Sequence, residues 1–106
     1  MRSAKVFYRN SFAGILQELE CGRSYHFVYA ENYRGPGISL TMPMGRAYEF
    51  NTFPAFFEGL LPEGTQLEAL LRERKIDRSD LFSQLMVVGG DTVGAVTLEE
   101  IMEGTE

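Results

Sequence analysis

One cysteine and one histidine are all that this chain of 106 residues offers a thiophilic or imidazole-binding metal. Cys21 has no second thiol to pair with, so an internal disulfide is excluded, and a zinc site using Cys21 and His26 would need carboxylates to complete it. Neither a structural metal nor a cofactor is expected. Long apolar runs are missing too: none approaches a membrane-spanning length, and the amino end, MRSAKVFYRN, carries positive charge without the apolar stretch of a signal peptide. The expected location is the cytoplasm, with no membrane contact. Positive charge is in short supply, the net charge being −5, and Glu99, Glu100, Glu103 and Glu106 crowd the carboxyl end. Such a balance argues against sequence-independent binding to a phosphate backbone, so direct contact with nucleic acid is not expected.

A catalytic signature is also absent. His26 sits in an alternating strand pattern among aromatic residues, with no partner that the sequence can locate, and reads as a structural or surface histidine. Cys21 lies in a turn-like CGRS segment without a neighbouring base and reads as a plain thiol. The stretch VGGDTVGAV, Val88 to Val96, lacks the lysine and the terminal Ser or Thr of a phosphate loop. It also runs from a helix into a strand, the reverse of the order such a loop needs. A turn in which Asp91 braces the backbone is the better reading. Glu99 and Glu100 are adjacent, so they do not converge on one face, and they read as a solvated tail.

What is present is an ordinary globular composition, 44% apolar and 24% charged. The length suits one domain, residues 1–106, with a core from about 5 to 98 and an acidic tail over 99–106. Lys5 to Arg9 alternates in the manner of a strand; a turn at Asn10 and Ser11 leads to a second strand, Ala13 to Glu18. Tyr25, Phe27 and Tyr29 alternate with His26 and Val28 in a third strand, and the turn Arg34 to Gly37 precedes a short strand at Ile38 to Thr41. From Thr52 the period becomes helical. Phe53, Phe56, Phe57, Leu60 and Leu61 form one stripe, with Thr52 as N-cap, Pro54 in the first turn, Gly59 weakening the helix and Pro62 ending it. Thr65 and Glu68 form a capping-box pattern for a second helix over about Gln66 to Lys75, with Leu67, Leu70 and Leu71 inward. A third helix starts near Asp77 or Ser79, presents Leu81, Phe82, Leu85 and Met86, and stops at Gly89 and Gly90; a last strand covers Gly94 to Leu98. The predicted fold class is α+β, a small antiparallel sheet with about three helices packed on one side.

The segment FFEGLLPEG, Phe56 to Gly64, joins an apolar helical face to a stiff acidic turn. Its continuation Leu61, Pro62, Glu63, Gly64 and Thr65 has two readings: a helix-to-helix connection whose backbone Pro62 and Gly64 set, or an exposed tip that two helices present to a partner.

The segments FFEGLLPEG and VGGDTVGAV, the stretch ISLTMP at Ile38 to Pro43, and the order hairpin, strands, helices, strand resemble the amino-terminal subdomain 1 of HipA-type serine/threonine kinases. The resemblance runs from about Lys5 to Leu98. Nothing in the chain resembles the nucleotide loop, catalytic aspartate or metal-binding aspartate of those kinases, so an enzyme is not expected. A free-standing copy of the subdomain is similar to the small subunit of tripartite HipBST toxin–antitoxin modules. That resemblance implies binding to a HipT-like serine/threonine kinase toxin and restraint of its activity, with a HipB-like helix-turn-helix protein in a ternary complex. Alternatively, the chain would be a structural subunit that completes or stabilises HipT and its complex with HipB. Leu61, Pro62, Glu63, Gly64 and Thr65 are the expected kinase contacts, entering or bordering the kinase cleft.

Overall fold

A computed structural model describes residues 2–19, 23–45, 47–92 and 94–101. Five strands form one sheet in the order β4-β3-β2-β1-β5, every neighbouring pair antiparallel. They are β1 (Ser3–Tyr8), β2 (Ser11–Leu19), β3 (Ser24–Tyr29), β4 (Ala47–Phe50) and β5 (Val96–Ile101). Three helices, α1 (Ala55–Glu58), α2 (Gly64–Arg74) and α3 (Leu81–Val88), lie in sequence between β4 and β5, and a 3-10 turn, Gly89–Asp91, follows α3. The expected α+β class is what the structure shows.

The β1–β2 turn consists of Arg9 and Asn10 rather than Asn10 and Ser11, both with positive φ (48° and 70°). Paired left-handed residues are what a two-residue hairpin turn needs to match the twist of its strands. Ser11 instead pairs with Tyr8 at the start of β2. The register then shifts by one residue, Phe7 facing Phe12 and Val6 facing Gly14. Ala13 is the extra residue of the bulge, and it is buried along with Gly14 and Leu16.

The core lies on the face of the sheet formed by Ala4, Val6, Leu16, Phe27 and Leu98. Phe57 of α1 and Phe82 and Leu85 of α3 close it, each with no exposed surface. Burying three such side chains contributes on the order of 1.5–3 kcal/mol each. The stripe seen in the sequence works although its helix is short. α1 spans four residues and begins after Pro54, which carries no side-chain cap, so Thr52 is not the N-cap. Hydrogen bonds of the i to i+3 kind carry the chain on, Leu60 to Phe57 and Leu61 to Glu58. These tighter turns keep Leu60 and Leu61 packed against the core.

Two other boundaries differ. α2 starts at Gly64, so Thr65 lies within its first turn, exposed, with Glu63 at the N-cap position and no side-chain cap. The capping box does not form because Glu68 turns outward, where its Oε2 accepts from Arg78 Nη2 at 2.6 Å. Nor are Leu67, Leu70 and Leu71 inward: they are half-buried, and no residue of α2 is buried. α3 is capped by Asp80, whose Oδ1 accepts from the Ser83 amide at 3.1 Å.

The strand expected at Ile38 to Thr41 is a tight turn closed by one bridge, Ser39 to Met42. The Tyr29 hydroxyl organises it, accepting from the Ile38 amide at 2.9 Å and donating to the Met42 carbonyl, so a side chain replaces the strand ladder. The fourth strand is β4 instead, a short AYEF segment paired with β3 from Tyr25↔Phe50 to Val28↔Ala47. The final strand runs beyond Leu98 to Ile101 and pairs with β1. Glu99 and Glu100, expected in a solvated tail, are exposed strand residues opposite Lys5 and Ala4. The tail from 102 onward and Cys21 lie outside the described residues.

Candidate partner-binding surface

The expected contact residues straddle a loop and a helix start. Leu61 and Pro62 are half-buried, while Glu63, Gly64 and Thr65 are exposed. Pro62 fixes its own φ, and Gly64 stands at φ +62°, a conformation that costs side-chain-bearing residues energy and glycine little. The chain therefore turns sharply between α1 and α2 with few free torsions. Leu60, Leu61, Pro62 and Glu63 form one wall of an open cleft of about 350 Å³; Val88, Asp91 and Thr92 form the other.

The two segments singled out in the sequence thus meet across one groove. The glycine-rich segment reaches it because of a close approach. A Cβ on Gly89 would fall 2.8 Å from the Leu98 carbonyl oxygen, so only glycine lets the 3-10 turn lie against β5. Thr92 Oγ1 donates to the Val96 carbonyl and fastens the turn to the start of the strand. Glu63 and Asp91 are the carboxylates of this groove, one on each wall, and both are exposed.

Sequence reasoning missed a second polar centre, at the opposite end of β1. Arg2 holds Glu18 through two parallel hydrogen bonds, Nε to Oε1 at 2.6 Å and Nη2 to Oε2 at 2.7 Å. It also reaches Asp80 Oδ1 at 3.0 Å and Ser83 Oγ at 2.7 Å, with its guanidinium 5.0 Å from the centre of the Phe82 ring. One arginine so links the sheet to the N-terminus of α3. The Glu18 hydrogen bond, above all, raises the Arg2 pKa further above its ordinary value; burial opposes that and Asp80 adds to it. Burial alone would push the Asp80 carboxyl up, but hydrogen bonds from Arg2 and Ser83 outweigh it and hold the carboxyl below its usual range. The available signal was the buried-side position of Glu18 within a strand, which demands a cation.

His26 is half-buried on β3 between Gln17 and Glu49 of the neighbouring strands. Among the described residues, no three His, Cys, Asp or Glu side chains gather where a metal ion could be held, and no helix is long and apolar enough to cross a membrane.

The five-stranded antiparallel sheet covered by short helices matches the fold of a HipA amino-terminal domain. Residues 4–99 match the model of the family described as HipA N-terminal domain, and the chain belongs to that family. It is similar to an uncharacterised protein of Haemophilus influenzae, 35% identical over 101 residues that cover 94% of this chain and 93% of that protein. Among solved structures it is similar to the N-terminal domain of HipA toxin, at 29% identity and a TM-score of 0.75, covering 97% of this chain and 95% of the other. Family membership ties the chain to HipA-related toxin–antitoxin systems.

Proposed function

We propose that the chain is a noncatalytic binding protein of the HipS type, which binds a HipT-like serine/threonine kinase within a HipBST module and restrains it. The observation that carries this reading is the cleft in which Leu61, Pro62 and Glu63 face Val88, Asp91 and Thr92. The family match and a relative covered over 93% of its length support it. A HipA amino-terminal domain packs beside its kinase in cis; a separate copy can use the same surface in trans, with an equilibrium set by concentration. In the proposed complex the tip Leu61 to Thr65 enters or borders the kinase cleft and obstructs substrate access or the closing motion that phosphoryl transfer needs. Pro62 and Gly64 limit the entropy lost when the tip is ordered on binding. Thr65 is small and polar, so it adds little apolar area; Leu61 and the charge of Glu63 carry more of the proposed contact.

Co-expression with the cognate HipT-like kinase tests this. The chain should rescue growth, and replacing Leu61, Glu63 and Thr65 together by alanine should release kinase activity while the circular dichroism spectrum stays the same. Unchanged inhibition by that triple variant removes the tip from the mechanism. The second reading, a structural subunit that stabilises HipT and its complex with a HipB-like helix-turn-helix protein, predicts altered solubility, assembly or repression without rescue. Turnover by the isolated chain would overturn both.

A further inference from the structure

The hairpin end of the sheet carries a different surface, which the proposed kinase contact does not use. An open cleft of about 610 Å³ is lined by Arg9 and Arg34, with Tyr8, Phe12, Asn32 and Pro36 around them, and among the described residues that line it there is no carboxylate. That is notable in a chain of net charge −5. Both arginines are exposed, and among the described residues neither pairs with an acidic side chain. They are nevertheless positioned. The Arg9 guanidinium lies 5.7 Å from the centre of the Tyr8 ring, and Arg34 Nη1 donates to the Glu31 carbonyl at 2.9 Å.

Apolar surface adjoins this charge. Phe12 is 42% exposed, and Leu40, at the tip of the turn that Tyr29 holds rigid, is fully exposed at 102%. Tyr8 and Pro36 are shared between the arginine cleft and the neighbouring one beside Leu40 and Met44, so the two form one continuous surface. Apolar side chains beside arginines are the anatomy of a protein contact. A small-molecule site would be concave and would converge several polar groups on its ligand. This cleft is open, and the Tyr33 hydroxyl is already committed to the Pro36 carbonyl at 2.6 Å.

We propose that this end of the sheet is a second docking surface, which takes an acidic segment of a partner protein, its carboxylates on Arg9 and Arg34 and its aliphatic side chains against Phe12 and Leu40. Charge complementarity selects the occupant: two exposed arginines that pair with no carboxylate among the described residues favour an anionic partner and repel a basic one.

The probes are ten-residue peptides of alternating glutamate and leucine, a lysine and leucine counterpart, and inorganic phosphate, each titrated into the ¹⁵N-labelled chain. The acidic peptide should shift the amide resonances of Arg9, Ser11, Phe12 and Arg34, and its affinity should fall with salt. The double variant Arg9→Gln with Arg34→Gln should weaken binding about tenfold, the modest loss expected of two solvent-exposed ion pairs. Leu40→Ser, at a side chain without core contacts, should weaken it while thermal unfolding is unchanged. Absence of shifts, equal binding of the basic peptide, or shifts unaffected by the arginine changes would overturn the proposal. Saturation of the same resonances by phosphate alone would mean a small-anion site and overturn the peptide reading. Self-association in sedimentation that the double variant abolishes would make a second copy the occupant and likewise overturn it. Because no kinase enters the experiment, its failure leaves the proposed function standing, and the reverse holds too.

Discussion

Replacing Arg2 by methionine should cost more than a change at a residue with 36% of its side chain exposed ordinarily would. The reason is its partner: the Glu18 side chain is 10% exposed and sits on the helix-covered side of β2. Without Arg2, that carboxylate loses both hydrogen bonds of its fork and has little water to replace them. Breaking a fully buried pair costs about 3–5 kcal/mol; with one partner a third exposed, a discounted figure of about 2–3 kcal/mol is appropriate. For a domain of this size that is a fall in melting temperature of roughly 8–20 °C. The pair itself is worth far less than this, since desolvation consumes most of its attraction. Arg2→Met combined with Glu18→Leu should therefore recover most of the loss, to within about 1 kcal/mol of the parent chain. Urea unfolding of the four chains, followed by far-ultraviolet circular dichroism, closes the cycle. A loss below 1 kcal/mol for Arg2→Met, or a double variant as unstable as the sum of the singles, would refute the reasoning.

Asp80→Asn keeps the capping oxygen of α3 but removes the ionic part of the Arg2 contact and replaces Oδ2, which accepts from Ser83 Oγ at 2.8 Å, by a donor, so about 1 kcal/mol should be lost at neutral pH. The Asp80 pKa is lowered by folding, so its ionic contribution is present above the unfolded value near ~3.9 and disappears as pH falls through the folded value. The gap between parent and variant in urea melts should accordingly narrow as the pH falls below the unfolded value; a gap that does not change with acid would contradict the assignment. Gly89→Ala should destabilise by about 1–3 kcal/mol, because its Cβ meets the Leu98 backbone oxygen at 2.8 Å, whereas Gly90→Ala, with nothing within 4 Å, should be close to neutral. Equal melting temperatures for those two variants would show that the 3-10 turn does not lie against β5 as described.

The strands most legible in the sequence were those with one buried face, because alternation records burial directly. Tyr25, Phe27 and Tyr29 are such a case. β4 escaped notice because AYEF is short and only half-buried, while Ile38 to Thr41 looked more strand-like than the turn it forms. What decides that turn is the Tyr29 hydroxyl, nine residues before Ile38, and periodicity carries no record of such a bond. The Thr65 and Glu68 pattern failed for a comparable reason: Arg78, ten residues on, competes for the Glu68 carboxylate. Leu61 to Thr65, read in the sequence as a connection or exposed tip, divides between a loop and the first turn of α2, and its opposition to Val88, Asp91 and Thr92 required the fold. Arg2, just before β1, and Glu18 of β2 are sixteen residues apart, a distance at which charge patterning offers no pairing rule.

The stability of the chain is unevenly distributed, and that bears on how the proposed tip would work. β1, β2 and α3 are held by core side chains without exposed surface and by the Arg2 centre. α2 has no buried residue, and at 11 residues a helix gains little from its own hydrogen bonds in water. Its register is set from outside: Gly64 fixes its start, and the fully buried Gln84 of α3 fixes the segment after it by donating to the Asp77 and Arg78 carbonyls at 3.1 and 3.0 Å. Half-buried Leu67, Leu70 and Leu71 leave apolar area that a partner could cover at little additional ordering cost, since both ends of the helix are already placed. A contact that begins at Leu61 to Thr65 and continues along this helix would thus gain most of its affinity from α2 and its selectivity from the tip. Inhibition and binding would then be separable, with leucine substitutions in α2 weakening the complex and tip substitutions releasing the kinase within a complex that still forms.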